Sequence, residues 1–217
     1  MLKSRAGLYL DRVVALSAWL IIAAIATAGP VIAADAGRGS AGESPPQQTD
    51  PQPPAEKQTT RGLYVTAKEA YEQWKAAPEK VKILDVRTPE EIMWVGNAPM
   101  AWTIPVVAVT YQWDADKKQF PMRPLPDFVA RVQKVAKPAD TLMVMCRSGG
   151  RGAMAVNLLA AAGFKKVYNI TDGFEGDAVK DPESVFRGQR LVNGWKNSGL
   201  PWSYAIDPAR MVFPTTQ

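Results

Sequence analysis

The chain is most informative at Thr141-Leu-Met-Val-Met-Cys-Arg-Ser-Gly-Gly-Arg-Gly-Ala-Met-Ala-Val-Asn-Leu-Leu-Ala160. Residues 141–145 form a largely apolar run bounded by a turn, which predicts a buried strand. Small and cationic residues follow at 146–151, and the alanine-rich run 152–162 predicts a helix that ends at Gly163. A strand, a tight loop and a helix in this order form the repeating unit of a parallel α/β sheet. Ligands of such sheets bind outside the carboxyl ends of the strands, where this loop lies.

Cys146 is the single cysteine of the chain, and it stands at the predicted end of this strand. An odd thiol is either buried and inert, paired with another molecule, or reactive. Gly149 and Gly150 allow the loop to curl its N–H groups inward. These groups, together with Arg147 and Arg151, stabilise a negative charge on sulfur. The position and the loop therefore predict a nucleophilic thiolate.

The composition excludes several classes of site and partner. Histidine is absent, which rules out a Cys-His or Ser-His dyad and a histidine-bound metal. We therefore expect neither a metal nor a cofactor. The formal net charge of +5 falls to +3 once residues 1–34 are set aside, and no basic run is interleaved with aromatic residues. This surface is not that of a nucleic-acid-binding protein, so no nucleic-acid partner is expected.

Capping signals and short apolar runs predict further elements on both sides of the 141–162 unit. The predicted helices begin at Thr66, Thr88 and Pro126, the predicted strands span 81–87, 103–106 and 166–170, and a loop insertion occupies 107–124. The alternation of strands and helices predicts a parallel α/β sheet with helices on both faces.

A leader and a linker are predicted before this domain. Residues 1–34 start with a basic segment and continue into the uncharged run 13–34, which is typical of a signal peptide and is also about long enough for an N-terminal membrane anchor. Either interpretation predicts an exported, periplasmic protein, tethered to the inner membrane through residues 13–34 in the second case. Residues 35–60 are rich in proline, glycine and glutamine and predict a disordered linker, which leaves 61–217 as the folded domain.

The six-residue loop 146–151 resembles the active loop of the small, single-domain members of the rhodanese (sulfurtransferase) family. Four further segments resemble that family in the expected order: Leu84-Asp-Val-Arg-Thr-Pro-Glu-Glu91, Thr103-Ile-Pro105, Val167-Tyr-Asn-Ile170 with Gly173-Phe174, and Gly194-Trp-Lys196 with Gly199-Leu-Pro-Trp202. The resemblance covers about residues 62–204. It departs at Val95-Gly-Asn-Ala-Pro99, where the family usually has Gly-His-Ile. That histidine is usually structural, so activity is expected to be kept.

This resemblance implies a rhodanese-like α/β fold with a central, mostly parallel five-stranded sheet and helices on both faces. It implies that Cys146 is the catalytic residue and carries a persulfide. The residues expected to bind the substrate and the persulfide are Arg147, Ser148, Gly149, Gly150 and Arg151. Asp85 and Arg87 of the first signature segment are expected to support the site.

Two of the loop residues have alternative roles. Arg151 is predicted either to bind an oxyanion of the donor or to turn back and pair with a carboxylate such as Asp85. Ser148 either donates its hydroxyl to the persulfide or merely suits the turn. Arg147 is expected to bind the donor.

The implied activity is sulfur transfer in two half-reactions. Cys146 takes a sulfane sulfur from a small sulfur-containing anion such as thiosulfate and passes it to a thiol or protein acceptor, which the sequence does not identify. One alternative is a persulfide carrier or docking module with little turnover of its own. The other is a cysteine-dependent phosphatase, which is disfavoured because it needs Cys-x5-Arg, whereas Gly152 stands where that arginine would be.

Overall fold

Five parallel strands form the main sheet of the computed structural model, which describes residues 52–214. The elements along the chain are β1 (Tyr64–Val65), α1 (Ala67–Ala76), β2 (Val81–Asp85), α2 (Pro89–Val95), β3 (Trp102–Thr103), β4 (Val107–Val109), β5 (Met122–Pro124), α3 (Phe128–Val132), β6 (Thr141–Met145), α4 (Gly150–Ala161) and β7 (Lys166–Ile170). Short 3-10 helices cover Ala55–Lys57, Lys196–Ser198 and Pro208–Arg210. The sheet order within residues 52–214 is β1-β7-β6-β2-β3. The predicted parallel, five-stranded α/β sheet is confirmed.

Strand β6 lies at the centre of this sheet, between β7 and β2. Its last residue, Met145, is in register with Asp85, the last residue of β2. Because the strands are parallel, their carboxyl ends lie at the same edge of the sheet. The segments that begin with Cys146 and with Val86 therefore leave the sheet side by side.

The side chains of β6 alternate between two cores, one on each face of the sheet. Leu142 and Val144 pack with residues of α3 and α4, whereas Met143 and Met145 pack with residues of α1. All four are fully buried, and each such burial stabilises the fold by about 1.5–3 kcal/mol. Both faces of the sheet are covered, which explains why the strand is an uninterrupted apolar run. The prediction of helices on both faces is confirmed.

Two helices begin at the capping boxes that the sequence predicts. Thr66 and Glu69 exchange hydrogen bonds at the start of α1, and Thr88 and Glu91 do so at the start of α2, where Pro89 occupies the first turn. Each box satisfies two backbone N–H groups that the start of a helix leaves without a partner. The second box also fixes the place of Glu91 at the edge of the sheet where Cys146 emerges.

The segment 107–124, predicted as a loop insertion, contains an antiparallel hairpin. Its two ends, Val107–Val109 and Met122–Pro124, pair as β4 and β5. Each strand is only three residues long, too short for an alternating pattern to indicate it. Near the tip, Trp113 and Phe120 pack edge to face with ring centroids 5.3 Å apart. The insertion is therefore an ordered arm, and the Tyr111 hydroxyl joins it to α2 by donating to the Glu90 carboxylate.

The last residues of the predicted disordered linker are ordered in the structure. The 3-10 helix Ala55–Lys57 packs against α4, and Thr60 N–H donates to the Asn157 side chain at 2.9 Å. Lys57 is only 8 % exposed, and its ammonium pairs with Asp177 at 2.8 Å. A long aliphatic stem with a paired charge can order a polar segment, which composition alone does not reveal.

The leader predicted at 1–34 lies outside the described residues, as does the linker up to residue 51. None of the helices between residues 52 and 214 has the length and hydropathy of a bilayer-spanning segment. Ordered contacts with the domain begin before the predicted boundary at residue 61.

Candidate active site

The Cys146 thiol lies at the base of the 146–151 loop, at the carboxyl end of a central strand, where the sequence places it. Cys146 is 1 % exposed, and its Sγ accepts a hydrogen bond from the backbone N–H of Gly149, with 3.1 Å between nitrogen and sulfur. An N–H aimed at a sulfur atom can hold negative charge that develops there. The loop therefore offers at least one fixed donor to an anionic sulfur.

Residues 174 and 175 hold the opposite side of this loop. The carbonyl oxygens of Cys146 and Arg147 accept hydrogen bonds from the N–H groups of Phe174 at 2.7 Å and Glu175 at 2.9 Å. These carbonyl groups are thus satisfied within the protein, as buried backbone groups require. The hydrogen bonds fix the path of the backbone on both sides of the thiol.

Gly149 adopts a conformation that its position requires. Its φ is +101°, a region in which residues with a side chain are strained. A Cβ atom here would lie 2.4 Å from the carbonyl oxygen of Thr171. The Gly149 carbonyl accepts hydrogen bonds from the Asn169 side chain at 3.1 Å and from the Ala153 N–H at 3.0 Å. The residue whose N–H reaches the sulfur is thus held firmly.

Arg147 and Ser148 occupy the outer side of the loop. Arg147 is exposed, and Ser148 and Gly150 are half-buried. Among residues 52–214, neither the Arg147 guanidinium nor the Ser148 hydroxyl has a hydrogen bond or an ion pair. Both groups are available to a bound anion, so the loop presents one unpaired cation at its rim.

Arg151, the last residue of the loop, pairs with Glu91. Its Nη1 and Nη2 each donate to a carboxylate oxygen of Glu91 at 2.6 Å. Burial opposes ionisation of Glu91, but the hydrogen bonds and the charge of Arg151 outweigh it and keep the pKa of Glu91 below its usual value. Burial likewise acts against the charge of Arg151, yet Glu91 raises the pKa of Arg151. Of the two predicted roles, the structure shows the pairing with a carboxylate.

That carboxylate is Glu91 and not Asp85, because Asp85 already has a partner. Both Asp85 and Arg87 are fully buried, and Arg87 Nη2 lies 2.6 Å from Asp85 Oδ2. The same nitrogen donates to the Gly96 carbonyl at 2.8 Å, and the guanidinium carbon stands 3.9 Å from the centre of the Phe174 ring. The predicted supporting pair therefore braces the segments around the loop and does not line its opening.

Two residues of this arrangement were not expected from the sequence. The sequence pattern indicates Glu91 only as part of a helix start, although its carboxylate also holds Arg151. Asn169, in β7, is fully buried and donates to the Gly149 carbonyl. The signal for Asn169 in the sequence is a polar side chain within the otherwise apolar run 167–170. Such a residue is expected to have a hydrogen-bond partner, because buried amides are almost always hydrogen-bonded.

The position of the missing histidine has a structural use. Asn97 stands there, 8 % exposed, and its side-chain amide donates to the carbonyl oxygens of Ser203 at 3.1 Å and Ala205 at 2.9 Å. Its backbone pairs with Ser203 as well. Asn97 thus fastens the C-terminal segment to the domain and does not contact the thiol.

The large pockets of the domain lie away from the thiol. The two large pockets found within residues 52–214 have volumes of about 650 Å³ and about 750 Å³, and neither is lined by the 146–151 loop. In the same part of the chain, no three cysteine, aspartate or glutamate side chains are grouped to hold a metal ion.

Known proteins resemble this chain in sequence. Residues 63–209 match the profile of the STR4 middle domain. Thiosulfate sulfurtransferase 16, a chloroplastic protein of Arabidopsis thaliana, is 34 % identical over 120 residues, which cover 55 % of this chain and 78 % of that protein. Uncharacterized protein RC0915 of Rickettsia conorii is 30 % identical over 122 residues, which cover 56 % of this chain and 82 % of that protein.

A solved structure is similar as well. The crystal structure of Rv0390 from M. tuberculosis has 26 % sequence identity and a TM-score of 0.48, with coverage of 65 % of this chain and 96 % of that chain. The profile match spans more than half of the present sequence, and the match to the Arabidopsis sulfurtransferase spans more than two thirds of that relative. The profile match and the match to the Arabidopsis sulfurtransferase together show that the chain belongs to the rhodanese (sulfurtransferase) family.

Proposed function

We propose that this protein is a sulfurtransferase that moves a sulfane sulfur from a small anion, such as thiosulfate, to a thiophilic acceptor through a persulfide on Cys146. The observation that carries the proposal is the Gly149 N–H held 3.1 Å from Cys146 Sγ within a six-residue loop. The relative in Arabidopsis that is named a thiosulfate sulfurtransferase supports thiosulfate as the donor.

In the first half-reaction, the Cys146 thiolate attacks the outer sulfur of thiosulfate. A bond forms between Sγ and that sulfur, the bond between the two sulfurs of thiosulfate breaks, and sulfite leaves with the electron pair. The enzyme then carries an anionic persulfide, which the loop N–H groups stabilise as an oxyanion hole stabilises oxygen. The step moves no proton, so it does not need the histidine that the chain lacks.

In the second half-reaction, an acceptor takes the outer sulfur. A thiolate or cyanide attacks it, the bond to Sγ breaks, and the electron pair returns to Cys146 as thiolate. Cyanide becomes thiocyanate and an acceptor thiolate becomes a persulfide, so both sides of the reaction balance. Because the donor product leaves before the acceptor reacts, ping-pong kinetics are expected.

Arg147 is the proposed binding group for the donor. A guanidinium can bind the sulfonate oxygens of thiosulfate through charge-assisted hydrogen bonds. Arg147 is exposed at the loop rim, whereas Arg151 is engaged by Glu91. The two arginines therefore have different tasks: Arg147 is the unpaired cation at the rim, whereas Arg151 is held by Glu91.

Phosphatase chemistry is disfavoured by the same geometry. The position at which such an enzyme has its arginine is Gly152, where a Cβ atom would lie 2.4 Å from Asn169 Oδ1. This position has no room for a side chain, and Arg151 is turned to Glu91. The loop therefore lacks the cation that would surround a tetrahedral phosphate.

A persulfide carrier with one dedicated protein partner is the second candidate. It is favoured by the exposed aromatic side chains of the 107–124 hairpin, since exposed apolar groups often mark contacts with other proteins. Trp113 is 58 % and Phe120 53 % exposed. The hairpin adjoins the site, because Met122 Sδ lies 3.9 Å from Arg151 Nη1.

The mass of the intact protein after incubation with thiosulfate tests the proposal. We expect a gain of one sulfur atom, which cyanide removes and which does not occur in Cys146→Ala. A folded protein whose mass stays unchanged would refute the persulfide. If the sulfur is taken up, repeated formation of thiocyanate identifies an enzyme, whereas a single equivalent of thiocyanate favours the carrier.

We also propose that residues 1–34 direct the domain out of the cytoplasm. The support is the basic start and the uncharged run 13–34, a pattern typical of exported proteins. Sequencing the N-terminus of the mature protein from fractionated cells distinguishes cleavage from anchoring. Recovery of the uncleaved protein from the cytoplasm would contradict the proposal.

A further inference from the structure

The 3-10 helix Ala55–Lys57, named here the strap, lies against the loop that carries the thiol. Asn169 joins the two, because its side-chain nitrogen donates to the Lys57 carbonyl at 2.9 Å and to the Gly149 carbonyl at 3.1 Å. Asn169 is fully buried. One amide group therefore links the segment that enters the domain to the residue whose N–H contacts the sulfur.

The Lys57 side chain makes a second link between the strap and the site. Its Cδ lies 3.0 Å from the position a Cβ on Gly149 would take, so the aliphatic stem covers that glycine. Its ammonium pairs with Asp177 at 2.8 Å. Asp177 lies close in sequence to Glu175, whose N–H binds the Arg147 carbonyl. The strap thus contacts the loop directly at Gly149, and through Asp177 it is also joined to the segment that binds the Arg147 carbonyl.

The Asp177 carboxylate, which pairs with the Lys57 ammonium, has further hydrogen-bond partners. Burial opposes ionisation of Asp177, but the hydrogen bonds from Lys57 and Asn193 outweigh it and keep the pKa of Asp177 below its usual value. Asn193 also accepts a hydrogen bond from the Asp177 N–H at 2.7 Å. The anchor for the Lys57 ammonium is therefore itself fixed.

We propose that Lys57 and Asn169 are positioning residues for sulfur transfer, which hold the Gly149 N–H against Cys146 Sγ and so couple the segment entering the domain to the reactivity of the thiol. The proposal rests on the proposed function. Neither residue touches the sulfur; each acts through Gly149. A donor that is misplaced by about 1 Å stabilises the reacting charge much less, so the rate suffers more than binding.

Four variants of the full chain test this role in the thiosulfate:cyanide assay. Asn169→Leu removes both donors at similar volume, Lys57→Met removes the charge but keeps the stem, and Lys57→Arg keeps the charge. Val167→Ala is the control, because it weakens the core from the same strand, β7, at a residue in register with Leu142, four positions before Cys146 along β6. Thermal unfolding of all four variants calibrates general destabilisation.

We expect kcat to fall about tenfold in Asn169→Leu and about threefold in Lys57→Met, with the KM for thiosulfate within about twofold of the parent. Lys57→Arg should restore most of the rate that Lys57→Met loses. Val167→Ala should keep kcat despite a lower midpoint of unfolding, because it leaves the loop contacts intact.

The proposal is overturned if Asn169→Leu and Lys57→Met are as active as Val167→Ala, or if they change KM and leave kcat alone. If Asn169→Leu does not fold, the comparison of Lys57→Met with Lys57→Arg decides. A parent protein that takes up no sulfur from thiosulfate would instead count against the proposed function, so the two failures are distinguishable.

Discussion

Arg151 and Glu91 form a bidentate ion pair that joins the first turn of α4 to the first turn of α2. Both nitrogen–oxygen distances are 2.6 Å, and the two side chains are 18 % and 15 % exposed. The pair fixes the end of the active loop to the capping box of the neighbouring segment. Arg151 is thereby a brace for the loop, and the cation at the loop rim is Arg147.

Glu91→Gln should weaken this brace. The variant leaves the guanidinium half-buried without its counter-charge, so we expect a loss of about 1–3 kcal/mol in the free energy of unfolding. Urea unfolding measures the loss. Glu72→Gln is the matched control, because it removes an exposed partner of Lys75 and should cost much less, since exposed ion pairs are screened by solvent. Equal losses in both variants would contradict the brace.

The same pair predicts a pH dependence of stability. In the folded protein, the pKa of Glu91 lies below its ordinary value of 4.5. Between the native pKa and 4.5, the unfolded chain therefore binds more protons than the folded protein does. The free energy of unfolding consequently rises with pH over this range. The contribution is complete above pH 4.5 and is lost as the pH falls through the lower, native pKa. The gap in unfolding midpoint between the parent and Glu91→Gln should therefore close in acid. A gap that widens toward low pH would refute the assignment.

The parts of the fold that the sequence predicted are those fixed by neighbours along the chain. The capping boxes at Thr66 and Thr88 depend on a residue three positions later, and the strand 141–145 depends on its own apolar run. The order of the thiol, the glycines and the arginines in 146–151 is also local. These features could be inferred because a short window contains both partners of each contact.

The features of the site that the sequence does not predict depend on contacts between segments that are distant along the chain. The strap is polar in composition, and it is fixed by its contacts with α4, Asn169 and Asp177. Asn169 reaches the loop because β7 lies beside β6, a sheet order that no local pattern specifies. Of the two predicted roles of Arg151, the pairing with a carboxylate points to Asp85 and not to Glu91, because the sequence does not reveal that Asp85 is already paired with Arg87.

Arg147→Ala should weaken donor binding more than turnover. The exposed guanidinium is placed to bind the sulfonate end of thiosulfate, so we expect the KM for thiosulfate to rise about three- to tenfold with kcat nearly unchanged. The effect should shrink at high salt, because exposed charges are screened. Lys68→Ala, which removes one exposed charge from α1, is the control and should leave KM unchanged. A fall in kcat without a change in KM would assign Arg147 to another role.

Arg87→Met should be among the most destabilising single substitutions at the site. It leaves the Asp85 carboxylate fully buried without its cation, and breaking such a pair costs about 3–5 kcal/mol. Chemical unfolding measures this loss. The double variant Asp85→Asn with Arg87→Met removes the stranded charge and should recover part of the stability. If the double variant loses the sum of the two single losses, the residues are not coupled.

Gly149→Ala should abolish sulfur uptake, and Gly163→Ala is the matched control. At φ +101° an alanine is strained, and its Cβ would lie 2.4 Å from the Thr171 carbonyl oxygen, so the backbone that presents the N–H to Cys146 must move. Gly163→Ala has a similar φ of +94° but meets nothing within 4 Å, so it should show only the backbone penalty of about 1 kcal/mol. We therefore expect Gly163→Ala to take up sulfur from thiosulfate like the parent, while Gly149→Ala loses both stability and sulfur uptake. Equal stability and equal uptake in the two variants would show that the close approach to Thr171 does not hold the donor in place.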